Sequence, residues 1–207
     1  MPLLRYLDLD ILDYSVPIDA ETFGDVPLLR RVVLNDIAAS EITLPWAQLT
    51  SLALNRVTLQ ECIPVLKQTP NLVHCELRLF YSEDDDGADV IALPCLESLA
   101  FNDPGDVIHP ATQYLNAFVV PSLCHLRIPE RLLGPNPLDS LTLFMSKSGS
   151  KVQKLCIIGE RVVPRYLYRK ALPSLGLSFS LHQDWMANPE EYSDESDSYY
   201  TSDASEE

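Results

Sequence analysis

The sequence has no apolar run near the ~20 residues that a bilayer-spanning helix requires, so no transmembrane helix is expected. The opening Met1-Pro2-Leu3-Leu4-Arg5-Tyr6 lacks a basic region leading into an apolar stretch, which argues against a secretory signal. Cysteine occurs at five scattered positions, Cys62, Cys75, Cys95, Cys124 and Cys156, with no Cys-x-x-Cys pair. An odd set of this kind fits reduced thiols in the cytoplasm or nucleus rather than a disulfide framework. Cys75 occupies an apolar position as a small hydrophobe, and Cys156 is the one thiol expected to be accessible. Positive charge is also scarce: 15 Lys and Arg stand against 30 Asp and Glu, for a net charge of −15. That balance speaks against the usual basic nucleic-acid surface. Catalytic patterns are missing as well. There is no Gly-x-Ser-x-Gly elbow, no Gly-rich phosphate loop and no His-Glu-x-x-His. The four histidines, His74, His109, His125 and His182, are dispersed, and His74 and His125 read as surface decoration rather than a metal pair. The expectation is a non-enzyme with no cofactor and no metal, and with neither nucleic acid nor membrane as a partner.

What the sequence does contain is a recurring phrase, Pro-x-Leu-x-x-Leu-x-Leu. It begins as Pro2-Leu3-Leu4-Arg5-Tyr6-Leu7-Asp8-Leu9 and returns at Pro27, Pro70, Pro94 and Pro121, with altered forms at Pro45, Val152 and Pro173. The first apolar anchors are Leu4, Leu29, Leu49, Leu72, Leu96, Leu123, Val152 and Leu175, spaced by 25, 20, 23, 24, 27, 29 and 23 residues. A period in that range is the signature of leucine-rich repeats. One such unit loses roughly 24–48 kcal/mol of backbone freedom on ordering. Its three or four buried aliphatic side chains return only about 1.5–3 kcal/mol each. No unit stands alone, so stacking of neighbours is required. The expected fold is α/β: a leucine-rich-repeat solenoid over residues 1–182, about eight irregular repeats, with a curved parallel sheet on the concave face and irregular helices and loops outside. Starting within a repeat, with no polar cap before Leu3, is unusual for a solenoid end.

Strand alternation then predicts which side chains leave the core. With Leu7 and Leu9 inward, the same offset in each repeat turns a set of residues onto the concave face. These are Tyr6, Asp8 and Asp10; Arg31, Val33 and Asn35; Ser51, Ala53 and Asn55; His74, Glu76 and Arg78; Ser98, Ala100 and Asn102; His125, Arg127 and Pro129; Lys154, Cys156 and Ile158. Twelve of them form the candidate partner-binding set: Tyr6, Asp8, Arg31, Asn35, Asn55, His74, Glu76, Arg78, Asn102, His125, Arg127 and Lys154. The row is mixed in charge, without the aromatic run of a nucleic-acid platform. The regular repeat places an asparagine three residues after its last leucine; here Leu12, Ile37, Val57 and Phe80 stand there, so irregular turns are expected.

Between the strands, local signals predict the remaining elements. A short helix is expected at Asp19 to Phe23, and Trp46 packs toward the core. Thr58-Leu59-Gln60-Glu61 reads as a capping box, with Pro64 demanding a kink or a later helix start. Residues Ser82 to Asp89 are rich in carboxylates but lack the calcium-loop register, so a solvated loop is expected. Helices are predicted at Pro110 to Phe118, Pro137 to Met145 and Pro164 to Leu172, with a loop at Ser146 to Ser150. The stretch Leu175 to Leu181 alternates as a closing edge strand with a displaced register. From Gln183 onward there are nine acidic residues and no basic one, leaving −6 for residues 1–182. Residues 183–207 are expected to be a disordered acidic tail, with Ser193, Ser196, Ser198 and Ser205 beside carboxylates as acid-directed phosphorylation sites.

Several stretches resemble one family, the F-box proteins of mushroom-forming fungi that carry irregular leucine-rich repeats. They are Leu44-Pro45-Trp46-Ala47-Gln48-Leu49-Thr50-Ser51-Leu52, Glu61-Cys62-Ile63-Pro64-Val65-Leu66, Pro70-Asn71-Leu72-Val73-His74-Cys75 and Leu93-Pro94-Cys95-Leu96-Glu97-Ser98-Leu99. The resemblance covers residues 1 to about 182. It implies a protein-interaction module, like the substrate-recognition part of a ubiquitin-ligase receptor. No Leu-Pro-x-Glu-Ile-Leu-type segment precedes the repeats, so the ligase scaffold becomes a partner only if an F-box is encoded upstream. The alternatives are a truncated repeat fragment or an interaction scaffold with no ubiquitin link.

Overall fold

At Pro27, Pro70, Pro94, Pro121 and Pro173 the repeated phrase starts a tight turn, and the turn delivers the chain into a strand. In the computed structural model, which describes residues 3–10, 26–35, 42–80, 89–102 and 112–180, the anchor leucine donates its N–H three residues back across that turn. The bonds run from Leu29 to Val26 (3.0 Å), Leu72 to Thr69 (3.2 Å), Leu96 to Leu93 (3.2 Å), Leu123 to Val120 (3.1 Å) and Leu175 to Leu172 (3.2 Å). Pro27, Pro70, Pro94, Pro121 and Pro173 occupy the second turn position, where a φ fixed near −65° suits the geometry. At Pro45 the two extra residues form a single turn of 3₁₀ helix, Trp46–Gln48, closed by Leu49 N–H on Trp46 O at 3.1 Å. Trp46 is buried there.

The two residues after each anchor then bond to the preceding unit. Arg30 and Arg31 both donate to Arg5 O, Thr50 and Ser51 to Arg30 O, and Val73 and His74 to Thr50 O. The pattern continues with Glu97 and Ser98 on Val73 O, Cys124 and His125 on Glu97 O, and Gln153 and Lys154 on Cys124 O. Side chains add rungs outside the ladder: Gln48 Nε2 to Val26 O at 2.7 Å, Asn71 Nδ2 to Ala47 O at 2.8 Å, and Ser122 Oγ to Pro94 O at 2.6 Å. One carbonyl serving two N–H groups per unit fixes each strand's start relative to its neighbour.

The result is an eight-stranded, all-parallel sheet laid down in chain order. Its strands are β1 (Tyr6–Asp10), β2 (Arg31–Asn35), β3 (Ser51–Thr58), β4 (His74–Phe80), β6 (Ser98–Phe101), β8 (His125–Pro129), β9 (Lys154–Ile158) and β10 (Gly176–Ser180). Two short strands, β5 (Ile91–Ala92) and β7 (Phe118–Val119), pair separately. Helices α1 (Leu59–Lys67), α2 (Thr112–Ala117), α3 (Pro137–Ser148) and α4 (Arg165–Ala171) lie between strands. The mixed α/β class and the strand at every expected repeat position agree with the sequence. Register aligns Leu7, Val32, Leu52, Cys75, Leu99, Leu126, Leu155 and Leu177 in one lateral row. From Val32 to Leu155 that row is buried, whereas Leu7 and Leu177 at the two edges are half-buried. Cys75 sits in it as expected, and burial pushes its thiol pKa up.

Several local expectations change. The Thr58 capping box is complete, with Glu61 Oε2 accepting from Thr58 N–H at 2.7 Å, and α1 runs through Pro64 to Lys67 without a later start. Residues 146–148, expected as loop, are the last turn of α3, which stops at Gly149 in the left-handed region (φ 63°) where glycine carries no Cβ penalty. β3 continues to Thr58 through a bulge at Arg56 (φ 63°), which shifts the pairing from Asn55↔Arg78 to Val57↔Leu79. At β10 one residue is missing between anchor and strand, so Gly176 alone donates to Gln153 O at 2.8 Å. The displaced register thereby puts Leu177 and Phe179 against Leu155 and Ile157. The accessible thiol is Cys95, on the Pro94 turn; Cys156 is half-buried on the sheet. The expected helix at Asp19–Phe23, the acidic loop before Asp89, and residues 181–207 lie outside the described residues.

Candidate partner-binding face

The sheet face opposite the leucine row carries all twelve candidate residues, because a side-chain period of two sends alternate positions there. Register sets them in three lateral rows. Tyr6, Arg31, Ser51, His74, Ser98, His125 and Lys154 form the first. Asp8, Val33, Ala53, Glu76, Ala100, Arg127 and Cys156 form the second. The third runs Asp10, Asn35, Asn55, Arg78, with Asn102 just past the end of β6 and held to Leu77 O by its N–H at 2.8 Å. Pro129 and Ile158, expected to continue this row outward, are instead buried. They line a cleft at the strand ends, so the polar face stops at Asn102 in that row.

At the β1 end the face is acidic and internally bonded. Tyr6 OH donates to Asp8 Oδ2 at 2.7 Å, and that bond, which ionisation would break, holds the phenol pKa above its ordinary value. Arg31 lies 5.3 Å from the Tyr6 ring centroid. Asn35 Nδ2 donates to Asp8 Oδ1 at 3.3 Å, and Asn55 Nδ2 to Asn35 Oδ1 at 2.7 Å. This amide relay occupies each polar group with the next.

From β4 to β9 the character changes. His74, Arg78, His125, Arg127 and Lys154 all project here, and among the strand positions of this stretch Glu76 is the carboxylate between them. Glu76 is only 8 % exposed. Burial raises its carboxyl pKa to about 7, against the opposing pull of the Asn102 amide and the charges of Arg127 and Arg31. Asn102 Nδ2 donates to Glu76 Oε1. That leaves Asn102 Oδ1 on the other side of the amide, buried and with no hydrogen-bond partner among the described residues. Arg78 Nε is in the same condition. His125 is held below its ordinary pKa by burial and then by the Lys154 charge.

Sequence reasoning found the positions but not the burial of Glu76, nor its bond to a residue 26 positions away. It also missed Glu130, 3 % exposed just after β8. Glu130 accepts from Val162 N–H (2.5 Å), Val163 N–H (2.9 Å) and Tyr168 OH (2.8 Å). A glutamate next to a strand-ending proline carries no pattern that marks it as buried.

Among the described residues no group of three or more His, Cys, Asp or Glu side chains is placed to hold a metal, and no helix is long and apolar enough to cross a membrane. No family model matches the chain, and no curated protein or solved structure matches it.

Proposed function

We propose that the chain is a leucine-rich-repeat interaction module whose concave face holds an extended segment of a partner protein. One observation carries this. Arg78 Nε and Asn102 Oδ1, a donor and an acceptor, are buried in neighbouring places on the polar face with no hydrogen-bond partner among the described residues. An unsatisfied buried polar group costs about 1–3 kcal/mol, and a peptide group laid across the face supplies both complements, its C=O to Arg78 and its N–H to Asn102. The cations Arg78, Arg127 and Lys154 favour acidic residues beside that peptide group. The recurring proline turn and the one-carbonyl, two-amide rung in successive units support the repeat reading.

The resemblance of the repeat phrases to fungal F-box proteins supports a narrower form, in which the face selects substrates for a ubiquitin ligase. Photo-cross-linking tests the face. A cross-linker at His74 is expected to capture a partner that one at Leu143, 59 % exposed on α3, does not. The capture should disappear with Arg78→Glu. Equal capture from both positions, or capture unchanged by Arg78→Glu, overturns the assignment. Fusing an F-box to the chain and reconstituting the ligase then tests the narrower form, which requires ubiquitylation of the captured protein.

A further inference from the structure

The cleft between the 130–137 and 159–163 segments contains a cation whose acceptor is missing. We propose that it binds a carboxylate carried on an apolar body, with the Arg161 guanidinium as the anion contact. It opens at the C-terminal ends of β8 and β9. Its volume is about 410 Å³, within the range of small-ligand sites. Pro129, Pro137, Ile158 and Val163 supply apolar wall, and Arg131 and Arg161 supply charge.

Two carboxylates line this cleft: Glu160 is exposed to solvent, and the buried one, Glu130, is already in use. Both oxygens of Glu130 are held, one by the Val162 and Val163 amides and the other by Tyr168 OH. Arg161 Nη1 is nevertheless buried and has no hydrogen-bond partner among the described residues. Its guanidinium is held 5.1 Å from the Phe179 ring centroid, and a second guanidinium, Arg165, sits 5.3 Å from the same ring. Stacking on Phe179 explains where Arg161 lies, but a ring face takes no in-plane N–H. Burial lowers the Arg131 guanidinium pKa, so a second, partly desolvated cation lines the same cleft. An incoming anion gives Nη1 its acceptor. The apolar walls select what the anion is attached to. An α-carboxylate ending a peptide in a branched apolar residue meets this description, and so does a free branched-chain acid. None of the twelve polar-face residues lines the cleft, so this inference stands or falls apart from the proposed partner-binding role.

The experiment uses the full ¹⁵N-labelled chain and follows the Gly134 and Gly159 amides and the Arg161 side-chain N–H by NMR. The probes are acetyl-Ala-Ala-Leu as the free acid, the same peptide as its C-terminal amide, and 4-methylpentanoate. The acid peptide should give saturable shifts at these three positions. Its amide should bind at least ~10-fold more weakly, the loss expected for one charge-assisted hydrogen bond. Tighter binding of the peptide than of 4-methylpentanoate assigns the site to chain termini; equal binding assigns it to small acids. Arg161→Gln should lose binding by the same factor. Arg165→Gln, which removes a stacking contact from the same ring but no group from the cleft, should bind as the parent does. No saturable shift with either carboxylate up to ~10 mM, where even weak sites fill, overturns the proposal. Equal affinity for acid and amide overturns it without recourse to any variant.

Discussion

Glu76 and Glu130 are two glutamates taken almost completely out of water, and the protein treats them in opposite ways. Glu130 receives three donors from its own chain, two backbone amides and the Tyr168 hydroxyl. It ties the turn after β8 to the segment after β9 and to α4, across 32 to 38 residues of sequence. Glu76 receives one amide, from Asn102, and its burial is resisted strongly enough to move its titration to about pH 7. Around it, Arg78 Nε and Asn102 Oδ1 are buried with no hydrogen-bond partner among the described residues. A carboxylate with its lone pairs filled by the fold is a fastener. A carboxylate buried among unfinished hydrogen bonds is the feature on which the proposed partner contact rests.

Removing the fastener should have the largest effect. Glu130→Ala strands two amides and a hydroxyl, and should cost about 3–5 kcal/mol, as breaking a buried charged network does. In urea the midpoint should fall while the slope stays unchanged. Tyr168→Phe removes one of the three donors and should cost about 1–2 kcal/mol. If the two losses were equal, the Val162 and Val163 amides would not be holding the carboxylate, and the contrast with Glu76 would fail.

Glu76 should behave in the opposite sense. Its pKa in the folded chain, about 7, lies above the ordinary 4.5. Between those values the folded state binds more protons than the unfolded one, so this group's contribution to stability is complete below about pH 4.5 and declines as pH rises to about 7. The decline is at most ~3.5 kcal/mol, since one pKa unit corresponds to about 1.4 kcal/mol. Glu76→Gln keeps the shape and an acceptor for Asn102 but not the charge. The variant should therefore match the parent at pH 4.5 and exceed it at pH 8. A parent that gains on the variant as pH rises would show that the cations around Glu76 outweigh its burial.

These two glutamates also mark where the sequence could be read and where it could not. The strands follow from Pro27, Pro70, Pro94, Pro121 and Pro173, because a proline at the second turn position and a leucine two residues later impose the same local geometry wherever they recur. The lateral rows follow too, since the anchors fix each strand's start: Glu76 lies four residues after Leu72, and Ala100 four after Leu96. Burial of Glu76 and its bond to Asn102 depend on a neighbouring strand 26 residues away, and no single strand encodes that. Glu130 is further from reach. Its partners stand in segments of unequal length after β9, and only the folded chain brings them to the turn after β8. The same irregularity hides the cleft, where Pro129 and Ile158 keep strand alternation but face its walls rather than the polar surface.

The smallest effect on stability, and the most direct probe of the unfinished region, is expected from Asn102→Ala. Two terms oppose each other. The substitution removes the amide that bonds Glu76, worth about 1.5–3 kcal/mol to a charged group, and it also removes a buried acceptor with no partner among the described residues, which relieves about 1–3 kcal/mol. The net change should lie within ~1 kcal/mol of zero, so a denaturation curve alone will barely register it. The titration of Glu76 separates the terms. The Asn102 bond favours the charged carboxylate and lowers its pKa, against the larger effect of burial. Without it, the midpoint followed through the Glu76 side-chain carboxyl resonance should move above about 7. A midpoint that stays in place would mean that Asn102 contributes nothing to the charge of Glu76. The Asn102 side chain would then serve this face through its Oδ1 acceptor alone, beside the Arg78 Nε donor.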